Sequence, residues 1–132
     1  MRNSDCAAKA LIDRQSGELI GICTFTAYSL EKQRVSGVLQ GSQPSEIGVV
    51  RLVMLGVARK YQKRGFGQDL LCDFFEHVKI IHQALPIKGV YLDADPAAIN
   101  FYARLGFVQL SATPNAFGAV PMFLAIQHIL AA

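Results

Sequence analysis

The sequence predicts a single α+β domain built on a mixed sheet. Three observations support this fold class. The chain has 132 residues, of which 52% are hydrophobic and 17% charged, so it can bury one core. A nearly continuous apolar run over residues 47–58 is followed, from Phe66, by apolar residues at three- and four-residue spacing. Short strand-like segments separated by turn residues stand on both sides of this central unit.

Two strands are predicted before the central unit. Residues 7–13 and 19–28 are rich in apolar, β-branched and aromatic side chains, and residues 14–18 (RQSGE) between them favour a turn. Together they predict an antiparallel hairpin. Residues 31–46 are polar and contain glycines and a proline, which predicts a long loop of the kind that often serves function.

The central unit is predicted to be strand, helix and parallel strand. Residues 47–58 fit a strand buried on both faces, interrupted by Arg51 and Gly56. An amphipathic helix that ends before Pro86 follows from the spacing of Leu70, Leu71, Phe74, Phe75, Val78 and Ile81. Residues 88–94 form the next strand, and a βαβ connection of this kind requires the two strands to be parallel.

The last third of the chain adds a helix and a closing pair of strands. Asp95 is predicted as N-cap and Pro96 as the first residue of a helix through about Leu105, with Gly106 at its C-terminal end. Residues 107–110 and 120–129 are predicted as antiparallel strands. The order is β-β-β-α-β-α-β-β without repeat or linker, so residues 1–132 are predicted to form one domain.

Composition argues against several other classes of protein. No apolar run approaches the roughly 20 residues of a membrane span, and the first residues lack the apolar stretch of a signal peptide. The cytoplasm is therefore the predicted location, with no membrane partner. The three cysteines are predicted to be buried thiols in a reducing compartment rather than disulfides. The three histidines lack metal-ligand spacing, so no metal is expected.

The turn Gln62-Lys63-Arg64-Gly65-Phe66-Gly67 lies where the buried strand has ended and the helix begins. The free N–H groups and partial positive charge of a helix N-terminus bind phosphate. The two glycines allow an anion to approach the backbone, and Arg59 and Lys60 add to the nearby positive charge. This predicts a pyrophosphate site, with a plain strand-to-helix turn as the alternative when two glycines are considered alone.

Two motifs resemble those of a known superfamily. Leu55-Gly56-Val57, the Q-x-x-G-x-G spacing from Gln62 to Gly67, and Leu70-Leu71 resemble motif A of the GNAT N-acetyltransferases. Asn100-Phe101-Tyr102-Ala103-Arg104-Leu105-Gly106-Phe107 resembles their motif B. The resemblance covers roughly residues 7–128. It implies a mostly antiparallel mixed sheet with a central splayed parallel pair and flanking helices, and acetyl-CoA as cosubstrate.

The resemblance also implies a role for individual residues. The glycines of the turn would contact the pyrophosphate of the cofactor, and the strand residues would lie along its pantetheine arm. The residues implied in cofactor binding are Leu55, Val57, Gln62, Lys63, Arg64, Gly65, Phe66, Gly67 and Asn100. Tyr102 would protonate the leaving thiolate, with simple packing of its helix as the alternative. Asp93 is preferred as general base over Glu46 and Asp95, and a water relay is the alternative to any protein base.

The acceptor is left open by these motifs. The resemblance implies acetyl transfer to a primary amine of a small molecule or a protein. Within the superfamily the chain is most similar to toxin-type enzymes that modify aminoacyl-tRNA, although Met54 and Asp93-Ala94 depart from that group's pattern and the net charge is only +3. A non-catalytic acyl-CoA-binding domain is the third hypothesis. Because residues 31–46 leave little material for an acceptor wall, a homodimer is predicted.

Overall fold

The computed structural model describes residues 6–39 and 41–131. Three short 3₁₀ helices, Lys32–Val35, Arg59–Tyr61 and Pro96–Ala98, lie in the connections between the main elements. None of the helices in these two ranges is long and apolar enough to cross a membrane. The strands and α-helices, in chain order, are β1 (Ala7–Ile12), β2 (Leu19–Glu31), β3 (Glu46–Val57), α1 (Phe66–Ala84), β4 (Gly89–Ala94), α2 (Ile99–Arg104), β5 (Val108–Gln109), β6 (Val120–Ala125) and α3 (Ile126–Ala131).

The six strands form one mixed sheet in the order β1-β2-β3-β4-β6-β5. Strands β3 and β4 are parallel, whereas every other neighbouring pair is antiparallel. The predicted α+β class, the N-terminal hairpin and the parallel pair flanking α1 are therefore confirmed. The hairpin turn is closed by backbone hydrogen bonds from Asp13 to Glu18 and from Gly17 to Asp13, both 2.8 Å long.

The main core lies between the sheet and α1. Leu70, Leu71, Phe74 and Val78 are buried on the inner face of this helix, as the apolar spacing predicted. The ring of Phe74 lies 5.0 Å from that of Phe25 on β2. Burying an apolar side chain of this size stabilises a fold by roughly 1.5–3 kcal/mol, so this face of α1 fixes the helix, and the turn before it, against the sheet.

A second, smaller cluster lies on the opposite face of the sheet. It includes Val35 from the first 3₁₀ helix, together with Leu30, Ile47, Val49, Tyr91 and Phe123. The segment 31–46 was predicted as a loop, but β2 extends to Glu31 and the 3₁₀ helix Lys32–Val35 follows directly. The fully buried Val35 anchors this segment, so it covers part of the face that α1 leaves open.

The prediction of a strand over residues 120–129 is wrong after Ala125, where α3 begins. The ladder between β4 and β6 ends at the pair Gly89 and Ala125, so the chain beyond it has no strand partner in β4. Ile126 and Ile129 are buried at helical spacing, and the Ile126 N–H donates to the Lys88 carbonyl over 2.9 Å. The partner strand β5 is also shorter than predicted.

The connection into α2 agrees with its predicted caps. The Asp95 carboxylate accepts a 2.8 Å hydrogen bond from the Ala97 N–H, and Gly106 adopts the positive φ of 106° that a C-terminal glycine allows. The first turn, Pro96–Ala98, is 3₁₀ rather than α. The prediction that all three cysteines are buried is wrong: Cys23 is buried, whereas Cys6 and Cys72 are exposed.

Candidate functional site

The site is built around a gap between the two parallel strands. Strands β3 and β4 pair at two positions, Val50 with Val90 and Arg51 with Tyr91. Beyond Arg51, β3 continues to Val57 with β2 as its only strand partner in the described part of the chain. The β4-facing edge of this half of β3 is therefore free of a ladder, which is the splayed pair that the resemblance implied.

A bulge in β3 accompanies the divergence. In the ladder with β2, Thr24 faces Met54 and Phe25 faces Leu52, so Val53 is an extra residue. A bulge of this kind bends its strand and increases the local twist. Val53 and Met54 are 48% and 47% exposed. The free half of β3 is thus bent and carries two accessible apolar side chains.

The turn between β3 and α1 is shaped by two residues with left-handed backbone, Lys63 at φ 63° and Gly65 at φ 84°. Gly65 is the N-cap residue of α1 and provides no side-chain cap. The first N–H groups of an α-helix have no intrahelical acceptor, and here Gly65 supplies no side-chain acceptor in its place. A Cβ built at Gly65 would meet no atom within 4 Å, so the space above these amides is open. This is the geometry expected of an anion site.

An open cavity of 380 Å³ extends from this turn. It joins the end of β3, the N-terminus of α1 and one face of α2. Six of the residues predicted to bind the cofactor line it: Val57, Gln62, Lys63, Gly65, Phe66 and Gly67. Gly67 lies between Val57 and Phe101, where an added Cβ would be 3.7 and 3.8 Å from their side chains.

Four further lining residues, Tyr61, Gln68, Phe101 and Arg104, were not predicted as site residues. Phe101 and Arg104 are three positions apart on α2 and therefore share a helix face. That spacing was visible within motif B and could have identified them. Arg104 and Lys63 both contribute a cationic side chain to the lining of this cavity, which suits a ligand with several phosphates.

One basic residue of the cluster before α1 is paired with an acidic residue of the same protein. Lys60 forms a 2.7 Å ion pair with Glu18 in the hairpin turn, and the Tyr61 hydroxyl donates to Glu18 over 2.9 Å. Hydrogen bonds from Lys60 and Tyr61 lower the pKa of the Glu18 carboxyl, so it is ionised at neutral pH. The Gln62 side chain donates to the Val57 carbonyl over 3.0 Å. These contacts hold the turn before α1 against the hairpin turn and the end of β3.

Three predicted cofactor residues do not line the cavity. The Arg64 guanidinium lies over the rings of Tyr61 and Phe66, at 5.6 and 5.3 Å from their centroids. Leu55 is partly buried and packs against the main core. Asn100 is exposed at the start of α2. A role for these three in cofactor binding stays a prediction.

Tyr102 lies on the buried side of α2, in the same core cluster as Cys23. Its ring contacts those of Phe101 and Phe107, with centroids 5.2 and 5.5 Å away. Burial is the main cause that raises the pKa of Tyr102 above its ordinary value of 10.0, and the nearby Cys23 adds to it. The phenol is therefore protonated at neutral pH. Its role as proton donor stays a prediction.

The three acidic residues considered as bases lie in different places. Asp93, on β4, accepts hydrogen bonds from Arg51 at Oδ2 and from Tyr91 at Oδ1, over 3.1 and 2.8 Å. Asp95 caps the turn before α2. Glu46 begins the 12-residue strand β3, which at about 3.3 Å per residue places it more than about 30 Å from Val57. Glu46 therefore lies at the opposite end of β3 from the turn before α1, and Asp93 as general base stays a prediction.

A metal site was not expected from the sequence. Within residues 6–39 and 41–131, no group of three or more His, Cys, Asp or Glu side chains is arranged to hold a metal ion.

Comparison with known proteins identifies the family. The sequence profile of the acetyltransferase (GNAT) domain matches residues 8–109. A comparison with curated protein sequences gave no significant match. The matched segment contains the gap between β3 and β4, the turn into α1 and all of α2, so the family assignment covers the site described above.

Solved structures agree with this assignment. One described as "Crystal structure of bacterial toxin" is 99% identical, with a TM-score of 0.95 over 98% of this chain and 72% of that chain. AtaT complexed with acetyl-methionyl-tRNAfMet is 22% identical, with a TM-score of 0.80 over 98% and 76%. A Y145F mutant of KacT is 21% identical, with a TM-score of 0.80 over 97% and 75%. The last two show the shared fold alone. The chain belongs to the GNAT acetyltransferase family and is an acetyl-CoA-dependent acetyltransferase.

Proposed function

We propose that acetyl-CoA lies with its pyrophosphate on the turn before α1 and its thioester in the gap between β3 and β4. The observation that supports this most strongly is the 380 Å³ cavity, which connects the open amides beyond Gly65 with the end of β3 at Val57. Lys63 and Arg104 supply positive charge on its walls. The backbone groups of Leu55 and Val57 face the pantetheine arm along the free edge of β3.

The proposed reaction is direct attack of a primary amine on the thioester carbonyl carbon. The C–N bond forms, and backbone N–H groups on the free edge of β3 stabilise the oxyanion. The C–S bond then breaks, and Tyr102 donates its phenolic proton to the departing thiolate. Water returns to Tyr102 the proton that the amine nitrogen has lost. This series of steps needs no protein base. Asp93 as general base stays a prediction.

We further propose aminoacyl-tRNA as the acceptor. The 99% identical structure is described as a bacterial toxin, and AtaT, of the same fold, is described in complex with acetyl-methionyl-tRNAfMet. A small-molecule or protein amine is the second candidate, because the net charge of +3 is modest for a protein that binds a polyphosphate chain.

Two measurements on the wild-type chain test these proposals. Millimolar acetyl-CoA is expected to raise the melting temperature, since a ligand that binds the native state stabilises it by about RT ln(1 + [L]/Kd). Thiol release is then followed with charged tRNA, peptides, polyamines and aminoglycosides as acceptors. Release with charged tRNA alone is the expected result. Release with another amine alone contradicts the acceptor proposal, and binding without release from any acceptor contradicts acetyl transfer.

The chain is also proposed to act in the cytoplasm as a homodimer. In support, the segment 31–46 contributes one 3₁₀ helix in its described part, so a second copy would complete the wall on the acceptor side. Sedimentation of an active preparation at micromolar concentration is expected to show a dimer. An active species that sediments only as a monomer contradicts this proposal.

A further inference from the structure

An ion pair between Arg51 and Asp93 stands where the two parallel strands separate. Arg51 is the last residue of β3 that pairs with β4, and its partner in the ladder is Tyr91. Asp93 lies two residues beyond Tyr91, past the end of the ladder. The 3.1 Å contact between Arg51 Nη2 and Asp93 Oδ2 therefore crosses the first part of the gap. This side-chain contact links the two strands just beyond the last residue pair of their backbone ladder.

Both side chains of this pair are held by neighbours. The Arg51 guanidinium lies over the ring of Tyr28, 5.1 Å from its centroid. The Tyr28 ring stacks on that of Tyr91 with centroids 5.4 Å apart. The Tyr91 hydroxyl donates to the second oxygen of Asp93 over 2.8 Å, and Arg34 donates to the same hydroxyl over 2.9 Å. The pair thus belongs to a network that spans β2, β3, β4 and the 3₁₀ helix Lys32–Val35.

We propose that the Arg51–Asp93 pair is a positioning pair that sets the width of the gap and thereby selects the acetyl group over longer acyl groups. The proposal rests on the placement of the thioester in this gap. The side chains are 35% and 23% exposed, so water screens their attraction less than at an open surface. Val53 and Met54 follow Arg51 by two and three residues in β3 and are exposed, so they are available to contact a small acyl group bound in the gap.

This role differs from that of a general base in a way that substitutions can separate. If Asp93 is a general base, it acts alone. Removing the Asp93 carboxylate would then lower the rate of thiol release, and removing the Arg51 guanidinium would lower that rate less. A positioning pair acts as one unit, so either substitution alone has the full effect and the double substitution adds nothing further. Such non-additivity is the signature of two groups that act through one contact.

The experiment compares wild type with Arg51→Met, Asp93→Asn and the double variant. Calorimetry gives the affinities for acetyl-CoA and butyryl-CoA, which requires no acceptor. Wild type is expected to prefer acetyl-CoA by about tenfold or more, because a pocket of fixed size discriminates against added methylenes. Each single variant is expected to reduce that preference at least about fivefold, and the double variant no more than either. Arg51→Lys, which keeps the positive charge, is expected to retain part of the wild-type preference for acetyl-CoA.

A second ion pair, Lys9–Asp73, serves as the matched control. It joins β1 to α1 over 3.3 Å, away from the gap. Lys9→Met and Asp73→Asn should leave the acyl preference at the wild-type value. Asp93→Asn keeps the shape of the side chain and preserves the test if Arg51→Met does not fold.

The outcomes are distinct. An unchanged acyl preference in folded Arg51→Met and Asp93→Asn overturns the positioning role. Loss of thiol release in Asp93→Asn with full release in Arg51→Met also overturns it, in favour of the base. Failure of wild type to bind either acyl-CoA is instead a failure of the proposed function.

Discussion

Gly65→Glu is expected to abolish acetyl-CoA binding, with a fall in affinity of at least about 100-fold, while the domain stays folded. The open space above Gly65 is where the structure leaves the helix amides accessible. A glutamate there would fill that space and place a negative charge beside the phosphates, and at about 4 Å like charges repel appreciably even in partly screened surroundings. Calorimetry with acetyl-CoA measures the loss, and circular dichroism checks the fold.

Gly118→Glu is the matched control for this substitution. Gly118 has nearly the same backbone, φ 80° against 84°, and a Cβ there also meets nothing within 4 Å. It lies before β6, outside the residues that line the cavity. Both variants therefore carry the strain of a side chain at positive φ, roughly 1–2 kcal/mol. Equal loss of binding in the two variants would mean that backbone strain, and not the anion site, explains the effect.

Tyr102→Phe is expected to lower kcat by about 10²- to 10⁴-fold, the range typical of general acid catalysis, with acetyl-CoA affinity nearly unchanged. Phenylalanine keeps the ring and its contacts with Phe101 and Phe107. The raised pKa keeps the wild-type phenol protonated, so activity should not decline through titration of Tyr102 below about pH 10. Single-turnover rates should be used, because product release can mask the chemical step.

Tyr61→Phe provides the contrast. The Tyr61 hydroxyl bonds to Glu18 and not to a reacting group, so its removal should change the melting temperature or the acetyl-CoA affinity and leave the single-turnover rate intact. If Tyr102→Phe behaves in that same way, with full single-turnover activity, its hydroxyl has no part in proton transfer. Positioning of the amine would then be the main source of rate.

The parts of the site that were predictable are those encoded locally. The turn from Gln62 to Gly67 combines a strand end, two glycines and a helix start within a few residues, and all of its residues except Arg64 line one cavity. The apolar spacing after Phe66 fixed the buried face of α1 in the same way. Such features depend on neighbours in the chain, so sequence alone is enough to locate them.

The parts that were missed depend on contacts between distant segments. Asp93 was singled out as an acidic residue at a strand end, but its partner Arg51 is 42 positions away in the chain. The bulge at Val53 is a mismatch with β2 and has no local signature. The helix α3 was predicted as a strand because a short apolar run is compatible with a helix and with a strand. The structure distinguishes the two at Ala125, where the ladder with β4 ends.

The attachment of the turn before α1 to the N-terminal hairpin has a thermodynamic consequence for the proposed cofactor site. Tyr61 and Lys60 are fixed to Glu18, and Gln62 is fixed to the end of β3. The conformational entropy of this segment is therefore lost when the domain folds, rather than when the nucleotide arrives. Binding to such a preorganised surface keeps more of its interaction energy as affinity. With the nucleotide placed as proposed, a hairpin remote in sequence thus contributes to its affinity without contacting it.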